Sequence, residues 1–171
     1  GDTEQTGTFS VTNATTGTCN YTVQAGDNSL DLNATLSGTI TDDSSNSTTS
    51  LTASSALSTN KSLLIDTTNP TVTLSPLDEA TDIAITSNLI MTFDEVVDAE
   101  SGNITIYKTS DNSTIEIFDV TADITGSGTT AITINPASDL SYEIEYYVMV
   151  DATAFDDALS NSYAGITAST T

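Results

Sequence analysis

Short runs in which apolar and polar residues alternate constrain the fold of this chain more than any other feature. The clearest runs are "NLIMTFDE", "GNITIYKTSDNSTIEIFDV", "TTAITINP" and "YEIEYYVMVD", in which every second side chain falls on the same face. This period is typical of strands with one buried face, and Gly, Pro, Asn and Asp separate the runs as turn residues. About seven strands at this spacing predict a β-sandwich after residue 70.

The first part of the chain shows weaker alternation of the same kind. Its runs are "GTFSVTN", "CNYTVQAGD", "LDLNATLSGTITDD" and "KSLLID", with "AGDNS" and "DDSSNS" as turns. Threonine and serine, which favour strands and turns, together make up about a third of the chain. The single helix-like stretch is "DATAFDDAL", with room for one or two turns. The sequence therefore predicts an all-β protein.

A stiff linker divides the two parts. The stretch "IDTTNPTVTLSP", residues 65–76, contains two of the three prolines of the chain. Pro70 fixes its own φ and biases Asn69 toward an extended backbone. We predict an N-terminal domain over residues 1–68 and a C-terminal sandwich domain over residues 69–171.

A tyrosine near the start of the last long strand adds a local signature. Leu140 lies six residues before Tyr146, and Tyr146, Val148 and Val150 share one face of that strand. This is the spacing of a tyrosine corner, in which the hydroxyl bonds back to the connection before the strand. The alternative is an ordinary strand tyrosine, and both interpretations keep a β-sandwich.

The charge balance limits the partners. The chain has 24 Asp and Glu residues against two cations, Lys61 and Lys108, and its formal net charge is −22. Phosphate groups are bound by clustered Lys or Arg, so nucleic acid and anionic membrane surfaces are excluded, and no membrane insertion is expected. Cations are the natural counterpart of this surface.

The residue types needed for common catalytic sites are scarce. The chain has no His and no Arg, and Cys19 has no activating partner near it in sequence, so nucleophilic triads cannot be assembled. The adjacent acids Asp94 and Glu95, or Asp156 and Asp157, could in principle cleave a glycoside, but neighbours in a strand face opposite sides. We expect that the protein is not an enzyme.

Two segments resemble known repeats. Residues 69–165 have a Pro-led first strand, "TFDEVVD" after the second strand and a closing "AFDDALSNSYAGI", and they resemble a bacterial Ig-like domain of the kind repeated in surface-layer proteins and large adhesins. Residues 21–68 resemble the last strands of a second type of tandem Ig-like repeat. The resemblance implies two Ig-like β-sandwich domains in tandem, with a non-enzymatic structural role at a bacterial or archaeal cell surface.

The first domain departs from its repeat type. Only 20 residues precede Tyr21, where an early pair of strands is normal. Either the sequence is a fragment, or the first domain is an incomplete sandwich that borrows a strand from a neighbour. The second alternative would make the chain a filament subunit, since an open sheet edge is a template for strand addition.

Calcium is the candidate cofactor, because it prefers about six to eight oxygen ligands, which acidic loops supply. The sequence has no EF-hand pattern, so the prediction is topological. In an Ig-like sandwich the loops after the second and sixth strands lie at the end where the first strand enters. The predicted ligands at this hinge are Asp66, Asn69, Asp94, Glu95, Asp98, Asp156 and Asp157. The same argument puts Asp42 and Asp43 at the far end of the first domain. The alternative is that these acids only cap turns.

Asparagine sequons suggest a second surface chemistry. The candidate glycosylation sites are Asn13, Asn20, Asn33, Asn46, Asn60, Asn103 and Asn112. A chain of this composition would contain about four such sequons by chance, so the excess is mild. We predict a glycoprotein on this basis.

The sequence thus predicts a structural module of an extracellular cell surface. It would be a spacer in an adhesin or surface layer (S-layer), or a subunit of a filament assembled by strand exchange, and its partners would be neighbouring Ig-like domains or copies of itself. The rival hypothesis is a carbohydrate-binding module with Tyr107, Tyr142 or Tyr147 as stacking surfaces. The strand pattern places most of these aromatics in the core.

Overall fold

The computed structural model describes residues 7, 10–13, 16–52 and 55–168. The chain divides into two compact units, Gly1–Thr68 and Asn69–Thr171. Within the described ranges, the regular structure is strand except for one helical turn, α1, at Leu57–Asn60. No helix in those ranges is long and apolar enough to cross a membrane. The predicted all-β class is confirmed.

The described part of the first unit contains two short antiparallel strand pairs. Strand β1 (Ser10–Asn13) pairs with β2 (Thr16–Thr18), and β3 (Ile40–Thr41) pairs with β4 (Ser47–Thr48). Elsewhere in the unit, polar side chains join segments that are distant in sequence. For example, Thr67 is bonded to the segment around residues 26–28. Its Oγ1 accepts from Gly26 N at 2.8 Å, and its N–H donates to Asn28 Oδ1 at 2.8 Å.

The first unit has no buried side chain among the residues whose exposure is described. Large apolar residues such as Leu30, Leu36 and Leu64 are exposed, and so is the free thiol of Cys19. The strand prediction is wrong for "CNYTVQAGD", and "KSLLID" contributes only an isolated bridge between Ser29 and Ile65. Alternation forms a stable strand only when a second layer covers the apolar face, and the described residues supply none. The incomplete sandwich remains a prediction.

The described residues of the second unit form eight strands in two sheets. They are β5 (Val72–Ser75), β6 (Leu89–Ala99), β7 (Asn103–Lys108), β8 (Thr114–Asp119), β9 (Ile124–Thr125), β10 (Thr129–Ile134), β11 (Tyr146–Val150) and β12 (Phe155–Asp156). In one sheet the long strand β6 pairs with β10, which pairs with β9, while β5 and β12 pair with β6. The other sheet has the order β11-β7-β8. All of these pairings are antiparallel.

The core of the second unit is formed by the facing sides of the two sheets. Along β6 and β10 the buried side chains alternate with more exposed ones, as the alternating sequence predicts. The core residues are Met91, Phe93, Val97, Ile104, Ile106, Phe118, Val120, Ile132, Ile134, Val150, Ala154, Phe155 and Tyr163. This arrangement is the predicted Ig-like sandwich.

The helix-like stretch "DATAFDDAL" is not helical. Phe155 and Asp156 form β12 and pair with Ala99 and Asp98 of β6. The final run, "NSYAGIT", contains no strand and makes only bridges, one of which joins Ile166 to Val150. Burial of the Phe155 ring against the sheet outweighs the helix propensity of the alanines, which is a weak local preference.

The tyrosine corner is confirmed. The backbone N–H of Ser141 donates to the Tyr146 hydroxyl oxygen at 3.0 Å. Tyr146 and Val148 pack against the core, and Val150 is part of it. The bond fixes the connection that enters β11.

We expect Tyr146→Phe to lower the free energy of unfolding by about 0.5–1.5 kcal/mol, because the ring stays packed and a single hydrogen bond is lost. Urea unfolding followed by circular dichroism measures the change. Tyr142→Phe is the matched control, since Tyr142 is exposed. Equal stability of the two variants would contradict a stabilising corner.

Candidate functional site

A turn after β12 is organised by Asp157, one of the predicted ligands. Its Oδ1 accepts from the backbone N–H groups of Leu159 and Asn161, each at 2.8 Å, and its Oδ2 accepts from Asn161 Nδ2 at 2.8 Å. The backbone closes the same turn, because Asp157 N donates to Asn161 O. We call this arrangement of residues 157–161 the Asp157 clasp. It holds a carboxylate that is only 7% exposed.

Two opposing effects set the charge state of Asp157. Burial disfavours the charged form and by itself raises the pKa. Hydrogen bonds from the side chain and backbone of Asn161 and from the backbone of Leu159 outweigh burial, so the pKa lies below its ordinary value. The clasp therefore holds a carboxylate anion at neutral pH.

A second carboxylate lies beside the clasp. Glu95 shares one face of β6 with the buried residues Phe93 and Val97, and it is partly exposed. One of its carboxylate oxygens lies within 4.8 Å of one of Asp157. Like charges at this distance repel, and a divalent cation between them would reverse the sign of the interaction.

Asp157 does not suit the acid role in glycoside hydrolysis. That reaction needs one carboxylic acid with a raised pKa, so that it can protonate the leaving group. The pKa of Asp157 is lowered, and its oxygens already accept three hydrogen bonds. Asp157 is therefore an ionised hydrogen-bond acceptor and not a proton donor.

Asp94, another of the predicted ligands, accepts two hydrogen bonds from Thr71. Its Oδ1 accepts from Thr71 N at 2.7 Å, and its Oδ2 accepts from the Thr71 hydroxyl at 2.8 Å. Hydrogen bonds from the backbone and then the side chain of Thr71 lower the pKa of Asp94. Both of its oxygens thus anchor the chain directly after Pro70.

Asp98 and Asp156 form a separate pair. They are direct cross-strand partners in β6 and β12, and alternation places Asp156 on the face opposite to that of the buried Phe155. Like charges directly opposite each other destabilise a sheet. The five acids predicted in this unit are therefore divided among an anchor, a cross-strand pair and the Glu95–Asp157 pair.

The remaining predicted ligands lie near the boundary of the units. Asp66 is in the first unit, where its Oδ1 accepts from Thr68 N at 2.9 Å. Asn69 is the exposed first residue of the second unit. Their participation in a metal site remains a prediction.

Asp42 forms a second clasp with the same geometry. Its Oδ1 accepts from Ser44 N at 2.9 Å and from Asn46 N at 2.8 Å, and its Oδ2 accepts from Asn46 Nδ2 at 2.9 Å. The side chain and then the backbone of Asn46 lower the pKa of Asp42. Ser45, like Ser160 in the other clasp, has a positive φ. Asp43 is exposed beside it.

Sequence reasoning missed this repetition although the signal is present. Both clasps read Asp-x-x-Ser-Asn-Ser, as "DDSSNS" and "DALSNS". Asp and Asn at these positions bond to nearby backbone groups, and the fourth residue adopts the left-handed conformation of a tight turn. Each unit therefore contains the same hairpin turn.

The tyrosines are not placed as predicted. Tyr146 packs against the core, but Tyr107 and Tyr147 are not core residues. They stack on the outer face of the three-stranded sheet, with ring centroids 5.1 Å apart and planes at 15°. Tyr142 is exposed in the connection before β11. Alternation along β7 and β11 explains the error, since each strand carries apolar residues on both faces.

The sequons have different environments. Asn20, Asn33, Asn46, Asn103 and Asn112 are exposed, and the side chains of Asn13 and Asn60 lie outside the described part. Asn33 Oδ1 accepts from Ala34 N at 2.9 Å, whereas the amide of Asn46 is used in the Asp42 clasp. Glycosylation at these positions remains a prediction.

Comparison with known proteins gives a family match for the second unit. A family model described as bacterial Ig-like domain matches residues 66–171. No curated protein and no solved structure matches the chain. The match covers more than half of the chain and nearly coincides with the unit that has the apolar core.

Proposed function

We propose that this chain, which belongs to the bacterial Ig-like domain family, is a structural module of a prokaryotic cell surface. Domains of this family are commonly extracellular, surface-associated and non-catalytic. The match over residues 66–171 is the observation that carries the proposal. The chain would act either as a spacer in an adhesin or surface layer, or as a filament subunit.

Two features support strand exchange as the route to a filament. Strand β11 pairs with β7 along one edge, while its other edge makes a single described bridge, between Val150 and Ile166. In the first unit no described side chain is buried, so its apolar residues need a partner. An open edge and uncovered apolar residues are the features that a donated strand satisfies.

Sedimentation of the purified chain separates spacer from filament subunit. A spacer is expected to remain monomeric over a wide concentration range. A filament subunit is expected to polymerise, and to lose its polymers when residues 1–20 or the residues after Ile166 are removed. Polymers that survive both deletions would contradict strand exchange.

We also propose that calcium binds at the end of the second unit. The close approach of Glu95 to Asp157 supports a cation there, as does the charge of −22. Calcium takes hard oxygen ligands in flexible geometry, so it suits this donor set better than magnesium.

Millimolar calcium is expected to raise the melting temperature of the chain. A cation at a hundredfold excess over its dissociation constant adds about 2.7 kcal/mol to the free energy of unfolding by mass action. Thermal unfolding with calcium, with magnesium and with a chelator measures the shift.

Two variants locate the ion. Glu95→Gln should abolish the calcium shift if Glu95 and Asp157 hold the ion. Asp66→Ala should abolish it only if the linker supplies a ligand, as the sequence predicts. A shift that survives Glu95→Gln would contradict the proposed site.

The carbohydrate-binding alternative has less support. A pyranose ring stacks on an exposed aromatic face, and the stacking of Tyr107 on Tyr147 leaves only one face of each ring for a sugar. If the chain binds no glycan on a broad array, this alternative is excluded. Saturable binding that is lost in Tyr147→Ala would support it.

A further inference from the structure

The middle of the outer face of the three-stranded sheet is uncharged in a strongly acidic protein, although Asp119 continues the same face at the end of β8. We define this face by Thr105, Tyr107, Ile115, Ile117, Tyr147 and Met149. The strand register places Met149, Thr105 and Ile117 in one row across the sheet and Tyr147 and Tyr107 in the next. Thr105 is only 9% exposed although it points away from the core, so its neighbours shield it. An exposed apolar patch of this kind indicates a surface that contacts something.

The tip of the β7–β8 hairpin is tied to this face. The Tyr147 hydroxyl donates to Asn112 Oδ1 at 3.1 Å. Asn112 is exposed and has a φ of 55°, and its N–H closes the turn onto Lys108 O at 2.9 Å. The hydrogen bond engages the amide oxygen of Asn112, and its nitrogen is the atom to which a glycan attaches.

Asn112 begins a sequon that is accessible over its whole length. Asn112, Ser113 and Thr114 are all exposed, and Thr114 is the cross-strand partner of Tyr107 on the outer face. The sequon of Asn103 differs, because its threonine is the shielded Thr105. The five exposed sequon asparagines in the described part therefore differ in how well folded protein can present them to an enzyme.

Asn46 supplies a further contrast. Its Nδ2 donates to Asp42 Oδ2 at 2.9 Å, so the attaching nitrogen is already used in the clasp. At Asn112 the corresponding bond is made by the oxygen instead. Asn112 is thus favoured over both Asn46 and Asn103.

We propose that Asn112 carries an N-linked glycan whose first sugars cover the outer face beside Tyr107 and Tyr147. In the transfer, Asn112 Nδ2 attacks the anomeric carbon of a polyisoprenyl phosphate- or pyrophosphate-linked oligosaccharide. The new bond joins carbon to nitrogen, the bond from carbon to phosphate oxygen breaks, the lipid (pyro)phosphate leaves, and one amide proton passes to a base of the transferase.

The chemistry of the face selects this occupant. A neutral sugar brings apolar C–H groups to the aromatic rings and hydroxyl groups to the solvent, and it brings no charge to a protein of net charge −22. The hydrogen bond from Tyr147 to the attachment residue places the first sugar next to the rings.

Expression of the full chain in a eukaryotic secretory host that modifies Asn-x-Ser/Thr sequons tests the proposal. Mass spectrometry of glycopeptides is expected to show several-fold higher occupancy at Asn112 than at Asn103. Asn112→Gln should remove that glycan and lower the melting temperature, whereas Asn33→Gln should leave the transition of the second unit unchanged.

A tyrosine variant tests whether the sugars cover the face. The difference in melting temperature between glycosylated and enzymatically deglycosylated protein should disappear in Tyr107→Ala. An unmodified Asn112 in protein that is glycosylated at Asn33 would overturn the assignment. If glycan removal still changes the melting temperature of Tyr107→Ala, the sugars do not cover this face. A dimer of unglycosylated chain that Tyr107→Ala dissociates would also overturn the proposal, because the face would then bind a second copy.

Discussion

Phe155→Ala is expected to lower the free energy of unfolding of the second unit by about 3–5 kcal/mol. Phe155 is fully buried, and its ring lies 5.4 Å from that of Phe93, which makes an edge contact with Tyr163 at 5.3 Å. Truncation removes the apolar transfer energy of the ring and leaves a cavity that the packed sheets can fill only partly. Most of the stability of a domain this small would be lost.

Tyrosine emission reports mainly on the second unit during urea unfolding, because five of the six tyrosines lie there. Tyr142→Ala is the matched control, since it removes an exposed aromatic ring. Phe155→Leu should lose less than Phe155→Ala, and it keeps the test valid if the alanine variant does not fold. A loss in Phe155→Ala no larger than in Tyr142→Ala would contradict the packing described here.

The fold of the second unit could be predicted from its sequence because each strand alternates and its turns carry Gly, Pro, Asn or Asp. The β7–β8 hairpin and the tyrosine corner follow from local spacing alone. The failure at Phe155 shows the limit of that approach. Its strand pairs with β6, more than 50 residues earlier, and no local pattern encodes such a partner.

The first unit was predicted less well, and the reason is physical. An alternating run has one apolar face, and it forms a stable strand only when a second layer covers that face. In the described part of this unit no side chain is buried, so that layer is missing. Runs such as "CNYTVQAGD" therefore keep their pattern without forming a strand. Here the prediction of two Ig-like domains rests on resemblance.

The candidate site was predicted as a set of acids but not as a geometry. The sequence pattern predicts that Glu95 and Asp157 lie at one end of the sandwich, and in the structure a carboxylate oxygen of Glu95 lies within 4.8 Å of one of Asp157. It could not show that Asp94 is used by Thr71, because that depends on the register between β5 and β6. The clasp motif was readable, since "DDSSNS" and "DALSNS" share four identities at fixed spacing.

Asp157→Ala is expected to lower the free energy of unfolding by about 2–3 kcal/mol, because three donors lose a charged, buried acceptor. Removal of the charge also relieves repulsion with Glu95, which offsets part of the loss. Unfolding in urea with a chelator present excludes any contribution from calcium.

The Asp42 clasp provides the control. Asp42 makes the same three hydrogen bonds, but it is exposed, so its donors return to water when the side chain is removed. Asp42→Ala should leave the transition of the second unit unchanged. Equal effects of the two substitutions on that transition would show that burial of the clasp is not what stabilises it.

The stabilisation by Asp157 should depend on pH with a defined sign. Its pKa is lower in the folded chain than the value of about 3.9 for an unfolded Asp. The unfolded state therefore binds the proton first, and the stabilisation is complete above that value and is lost as the pH falls through the folded pKa.

Asp157→Asn does not titrate, and its amide cannot accept the bond from Asn161 Nδ2. The difference in free energy of unfolding between the unsubstituted chain and Asp157→Asn should be constant from pH 7 to about pH 5 and should narrow below about pH 4. A gap that widened on acidification would mean that the clasp holds the protonated acid, and the case for a cation beside Glu95 would fail with it.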